Sequence, residues 1–206
     1  PNSPYFKNKI KLKNNNNNNI LLLTPKIDHG IDLEKIFLAS SMVKKKVKNF
    51  KIFITGDFIS KTFFNKYTKL IKDYQLTKNI KFLGFIKNNR QIINLIKKSS
   101  IGLTCNKKTK LHNYYEYADS LKIRQYAFFG LPIISEGFTP TSVEARNKKC
   151  CLIFKNINDL SEKIKLLFQN QKLFKEMSKN SIQWAQENNK EKFIAILEKK
   201  IRTMNN

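Results

Sequence analysis

The chain has 206 residues, 41% hydrophobic and 12% aromatic, which gives one sizeable core and excludes wholesale disorder. Forty basic residues against 15 acidic ones leave a net charge of +25, a surplus that raises the question of a polyanionic partner. No apolar run nears the ~18 residues of a membrane span, and no charged-then-apolar leader opens the chain.

Residues 1–19 are polar and end in a run of asparagines from Asn14 to Asn19, read as a linker or low-complexity segment. From Ile20 the chain alternates short β-like runs with amphipathic stretches. Residues 20–25 are a first strand, and Leu33, Ile36, Phe37 and Ser40 keep helical spacing up to Val43. Residues 50–56 are a second strand, followed by a helical stripe of Phe63, Tyr67, Leu70, Ile71 and Tyr74. A third strand covers 79–85, and Ile92, Ile93 and Ile96 mark the next helix. A fourth strand at 100–105 leads into a polar loop, 106–118. Residues 120–129 form a helix with Asp119 or Ser120 as N-cap and Gly130 just past its end. Strands five and six fall at 131–135 and 150–154. Three tail helices follow, striped by Leu160, Ile164 and Leu167, then Leu173, Met177 and Trp184, then Phe193, Leu197 and Ile201.

Strands separated by helices at this rhythm imply right-handed crossovers. The fold class read here is α/β, a doubly wound parallel six-stranded sheet with a C-terminal helical tail over residues 20–206. Such sheets bind ligands beyond the carboxyl ends of their strands. The segments to watch are therefore 24–31, 56–60, 84–88, 105–120 and 135–142.

The basic surplus is lysine: 36 Lys against 4 Arg, scattered from Lys7 to Arg202. Base-reading sites favour the bidentate fork of Arg. Lys, Asn, Ile and Phe in excess together match compositional drift in an AT-rich genome. The expectation is no specific nucleic-acid partner, with weak, salt-sensitive adhesion to anionic surfaces such as a membrane face. Cys105, Cys150 and Cys151 show no metal-binding spacing and read as small buried hydrophobes. An odd cysteine count without a leader points to a reducing, cytoplasmic setting, at most peripheral to the inner membrane face. No carboxylate pair has metal-ligand spacing, so neither metal nor cofactor is expected.

The most informative stretch runs from Glu116 to Glu136: a polar loop, a capped helix, a glycine stop and an apolar strand. The free amides of Leu121, Lys122 and Ile123 at that helix's amino end would attract an anion, with the Lys122 charge beside them. Gln125, one turn in, suits a sugar hydroxyl. The letters SLKIRQYAFFGLPII resemble the nucleotide-sugar-binding C-terminal half of GT-B glycosyltransferases, in particular the retaining group 1, family 4-like set. In that set a helix opens with a PLK…EYLA or EAMA pattern, followed by Gly-x-Pro and an apolar strand. The remaining strands and helices stand in the order of the same half, from residue 20 onward.

The resemblance implies a nucleotide-diphosphate-sugar donor as substrate and an N-terminal acceptor domain missing here. Pro1 in first place and the PNSPYF opening are read as the linker from that domain. It implies a diphosphate on Ser120, Leu121 and Lys122, helped by Lys26 and His29. It implies base and ribose at Phe85, Ile86, Gly56, Gly84 and Gln125, and the sugar at Glu116 and Asp119. Where the family's helix carries a ribose-holding Glu, this chain has Gln125, and an earlier acidic position falls on Tyr117. The Arg and Lys that the family presents after its first strand are here Thr24 and His29. Two rivals stand beside the donor-binding reading. One is a non-catalytic nucleotide-sugar- or protein-binding relative of the fold; the other is a basic polyanion-binding module. Lysines gathered on one face would favour the second rival.

Overall fold

The computed structural model describes residues 17–107 and 119–187. Eight strands and seven helices alternate through them: β1 (Asn19–Leu22), β2 (Lys26–Ile27), α1 (Leu33–Lys44), β3 (Lys51–Ile54), β4 (Asp57–Phe58), α2 (Lys61–Asp73), β5 (Ile80–Phe82), α3 (Asn89–Lys97), β6 (Ile101–Leu103), α4 (Leu121–Phe128), β7 (Ile133–Ser135), α5 (Pro140–Asn147), β8 (Cys151–Ile153), α6 (Ile157–Gln169) and α7 (Gln171–Glu187). Six strands pair in parallel in the order β5-β3-β1-β6-β7-β8. The chain builds outward from β1 through β3 to β5, then returns beside β1 and builds the other way. The topological switch point thus lies between β1 and β6, where a crevice opens at the carboxyl ends.

Period-two alternation feeds two cores. Ile20 and Leu22 of β1 join α1, α2, α6 and Phe174 and Met177 of α7 on one face, whereas Leu21 and Leu23 join α3, α4, α5 and Trp184 of α7 on the other. α6 packs on α1, and α7 packs on α4. Trp184, Tyr126 and Phe37 are among the largest side chains fully enclosed. Cys105, Cys150 and Cys151 are free and buried, as small hydrophobes should be, and burial pushes the Cys150 thiol up to about 12.

Several sequence expectations need correction. The main-sheet strands are shorter than the apolar runs, because their last residues leave the ladder to form the crevice loops. Leu131 belongs to the end of α4 and not to a strand: its N–H bonds to Tyr126 O at 3.0 Å, and Gly130 N–H bonds to Ala127 O at 2.9 Å. With Gly130 at φ +70°, this is a Schellman stop. A second, two-stranded sheet, β2–β4, and the whole of α5 were not anticipated. The expected third tail helix, residues 193–201, lies outside the described residues, as do residues 1–16. Among the described residues no helix is long and apolar enough to cross a membrane.

Candidate functional site

Helix capping singles out α4. In α1, α2, α3, α5 and α6 the N-cap side chain accepts a bond from a first-turn amide. At α7, Asn170 Oδ1 does the same for Leu173 N–H at 2.9 Å. At α4 the N-cap is Ser120, and its side chain makes no such bond. With no side-chain acceptor among the described residues, this amino end keeps its positive pole available for an anion.

The direction of α4 is fixed from behind. Arg124 Nε donates to Asp119 Oδ1 at 2.8 Å, and Arg124 Nη2 to Glu144 Oε2 at 3.3 Å. Trp184 Nε1 donates to Glu144 Oε1 at 2.8 Å, and the guanidinium lies 5.4 Å from the Trp184 ring centre. Thr141 Oγ1 donates to Asp119 Oδ1 at 2.7 Å and accepts from Ser120 N–H at 2.8 Å. One charged network thereby ties α4 to α5 and α7.

A cavity of about 250 Å³ opens beside this helix end, at the carboxyl edge of β1 and β3. Leu23, Pro25, Ile92 and Leu121 supply apolar walls, with Phe85 and Ile86 on the far rim. Thr24 and Thr55 line it but are already bonded to each other. Thr55 Oγ1 accepts from Thr24 N–H and donates to Thr24 O, both at 2.9 Å. Among the lining residues that leaves Lys122 as the cation and Gln125 as the amide that can meet a polar ligand. Burial pushes the Lys122 ammonium below its ordinary pKa, against the opposing pull of the Glu136 and Asp28 carboxylates.

Of the residues singled out from sequence, Leu121, Lys122, Gln125, Phe85 and Ile86 therefore come together in one cavity. Ser120 stands at the helix mouth with its N–H already given to Thr141. Gly56 and Gly84 sit just behind the rim and face each other across an isolated bridge. Gly56 N–H donates to Gly84 O at 2.8 Å, and a Cβ on Gly56, at φ +101°, would stand 2.7 Å from Thr24 O. Lys26 and His29 do not line the cavity: Lys26 is exposed on β2, and His29 sets its ring edge against Phe63 at 4.6 Å. The Asp119 carboxylate is engaged by Arg124 and Thr141. Glu116, with Tyr114, Tyr115 and Tyr117, lies outside the described residues.

Glu136, inside the 135–142 segment but without a role assigned from sequence, is 6% exposed just past β7. Its Oε2 accepts from Thr104 Oγ1 at 2.7 Å and its Oε1 from Asn106 Nδ2 at 2.5 Å, joining the ends of β6 and β7. A charged letter after an apolar run reads as a turn; nothing local announces that two residues just past β6 satisfy it.

The site is thus a doubly wound parallel sheet whose β1 and β3 carboxyl ends border an apolar cavity shared with the α4 amino end and Lys122. The family model described as glycosyl transferases group 1 matches residues 5–184, and the chain belongs to that family. No curated protein matches it. A Staphylococcus aureus TarM variant, solved with fondaparinux, alpha-GlcNAc-glycerol and UDP, is similar at TM-score 0.71 and 18% identity. That likeness covers 100% of this chain but 38% of TarM. The C-terminal domain of the Francisella tularensis group 1 protein LpcC is similar at TM-score 0.68 and 14% identity, over 82% of this chain and 85% of that one. Anabaena HepE, solved with UDP-glucose, is similar at TM-score 0.63 and 13% identity, over 84% of this chain and 44% of that one. The chain thus spans less than half the length of TarM and of HepE.

A second concavity lies at the opposite, amino end of the sheet. This hollow of about 1340 Å³ is edged by Lys44, Lys48, Lys51, Lys72 and Lys78, with no carboxylate among its lining residues. Lys44 Nζ donates to Gln75 O at 2.7 Å. Elsewhere, lysines such as Lys35, Lys66 and Lys148 are paired with Asp32, Glu34 and Glu187.

Proposed function

We propose that the chain is the donor-binding portion of a glycosyltransferase, presenting a nucleoside diphosphate sugar to an acceptor held on a companion domain. The observation that carries this reading is the meeting of the α4 amino end and Lys122 with an apolar cavity at the carboxyl edge of β1 and β3. The diphosphate rests on the first-turn amides and the Lys122 ammonium. The base packs by Phe85 and Ile86, and Gln125 bonds the ribose. At about 250 Å³ the cavity falls below the roughly 300–1,000 Å³ of complete small-molecule sites, so it takes the nucleoside end while the sugar projects toward the companion domain.

The chemistry asked of these residues is electrostatic. As the bond from sugar to diphosphate breaks, negative charge grows on the leaving phosphate. Amides and a cation already fixed in place stabilise that charge without reorganising. Lys122 supplies this where Lys26 and His29 stand apart from the cavity. Arg124 and its carboxylate partners keep the helix aimed, so Asp119 serves orientation and not sugar contact. UDP and UDP-glucose in TarM and HepE support a nucleoside diphosphate sugar as the ligand class. The acceptor class proposed is a surface glycan or polysaccharide. A thermal-shift panel of nucleoside diphosphate sugars tests the reading. At least one should raise the melting temperature by mass action, and a flat response across the panel contradicts it.

A second reading rests on the basic hollow. Five lysines around one concavity without a carboxylate make it the place where an anionic polymer or surface would adhere. It faces away from the cavity, so both readings can hold in one chain.

A further inference from the structure

The rim that carries Phe85 is held by a neighbouring loop. β3 ends at Ile54 and β5 at Phe82, and past these ends the two loops are joined by a pair of bonds. Gly56 N–H donates to Gly84 O at 2.8 Å, and Phe85 N–H donates to Asp57 Oδ1 at 3.0 Å. Both glycines have positive φ, +101° and +69°, so the bridge needs two conformations that L side chains seldom adopt. β4 anchors the other side of this clamp: Asp57 pairs with Lys26, and its N–H bonds to Pro25 O at 3.3 Å. One residue thus connects the β1 loop, through its main chain, to the β5 loop, through its carboxylate.

Two consequences follow for the cavity. Phe85 is 47% exposed, a large ring kept at a cavity rim instead of being folded into either core. Its own N–H is consumed by Asp57, so it meets a ligand with its ring and not with its amide. Asp57 itself does not line the cavity. An exposed carboxylate would also repel a diphosphate, which places its use on the base side, away from Lys122.

We propose that Asp57 is a positioning residue for the donor's base: its carboxylate holds the Gly84–Phe85 turn so that the Phe85 ring and the Ile86 main chain stand ready at the cavity rim. The inference rests on the donor-site reading above. A loop fixed beforehand does not have to be ordered on binding, and that saving appears as affinity.

The test separates base from phosphate. Asp57→Ala removes the acceptor, while Asp57→Asn keeps an acceptor oxygen without the charge. Titrations use the nucleoside diphosphate that the wild type binds best and, separately, inorganic pyrophosphate. Asp57→Ala should weaken the nucleoside diphosphate about three- to tenfold, the range of one neutral hydrogen bond, and leave pyrophosphate unchanged. Asp57→Asn should restore most of the loss. Amide hydrogen exchange at Phe85 should be slow in the wild type and in Asp57→Asn, and fast in Asp57→Ala.

Three results overturn the proposal. They are undiminished nucleoside diphosphate binding by Asp57→Ala, an equal loss of pyrophosphate, and Asp57→Asn as weak as Asp57→Ala. If the wild type binds no nucleoside diphosphate, the donor-site reading fails and the base role with it. The exchange measurement then decides the loop clamp alone, so the two failures stay distinguishable.

Discussion

The Tyr126 hydroxyl accepts the Leu23 N–H at 2.8 Å and donates to Leu103 O at 3.3 Å. Leu23 follows β1 and Leu103 ends β6, so a side chain from α4 stitches together the two strands that part at the switch point. The ring lies directly over Gly102, where an added Cβ would stand 2.3 Å from Tyr126 Cγ. The same helix that presents Lys122 therefore sets the spacing of the crevice floor beneath it.

Tyr126→Phe keeps the ring and leaves the buried Leu23 N–H without its partner. An orphaned buried donor costs about 1–3 kcal/mol. The unfolding free energy should fall by that amount, read as a lower denaturation midpoint at an unchanged slope in denaturant. Gly102→Ala should destabilise more, because ring and strand must separate. Equal stability of Tyr126→Phe and wild type in equilibrium unfolding would remove the stitch from this account.

Burial holds the Lys122 pKa below the ordinary 10.5, so the ammonium loses its proton earlier than a free lysine as pH rises. Diphosphate binding needs the charged form. Affinity should therefore begin to fall on the alkaline side while still below pH 10.5, with proton uptake on binding. Stability of the unliganded chain should move the opposite way in that window, because the unfolded chain binds more protons there than the folded one. Lys122→Arg, charged throughout, should bind without the alkaline fall. Calorimetry in buffers of differing ionisation enthalpy reads the proton uptake directly.

The basic hollow predicts adhesion without sequence reading. Lysines release counterions from a phosphate chain but do not fork onto base edges. Replacing Lys48, Lys51, Lys72 and Lys78 by Glu should abolish binding to a single-stranded oligonucleotide at low salt. The same four reversals at Lys61, Lys69, Lys172 and Lys175 should weaken it less. Equal loss from both sets would assign the adhesion to net charge and not to the hollow. A sequence-specific complex surviving high salt would contradict the lysine argument.

The strand–helix order, the Gly130 stop and the α4 amino end were legible because each depends on local period or punctuation, whereas Phe85 and Ile86 after β5 followed from the family resemblance. α5 was missed although Thr139 before Pro140 is a helix-start signal, because its eight residues show little apolar stripe. His29 stood at a family position and Lys26 was its stand-in; the turn into β2 leaves both outside the cavity lining. Asp119 carried the right charge for a sugar. The structure pairs it with Arg124 five residues on and Thr141 on α5, partners set by the packing of α4 against α5 and α7. The Tyr126 stitch and the Glu136 network are long-range bonds that no local pattern encodes.

The central claim is that a nucleoside diphosphate rests on the α4 amino end beside Lys122. Calorimetric titration of the wild type, Lys122→Ala and Gln125→Ala at two salt concentrations tests it most directly. Losing a charge-assisted phosphate contact costs about 1.5–3 kcal/mol, so Lys122→Ala should bind roughly ten- to a hundredfold more weakly at low salt, with a smaller deficit at high salt. Gln125→Ala should lose about 0.5–1.5 kcal/mol with no salt dependence, as a neutral bond does. A wild type that binds a nucleoside diphosphate no more tightly than Lys122→Ala does would contradict the placement of the phosphate site.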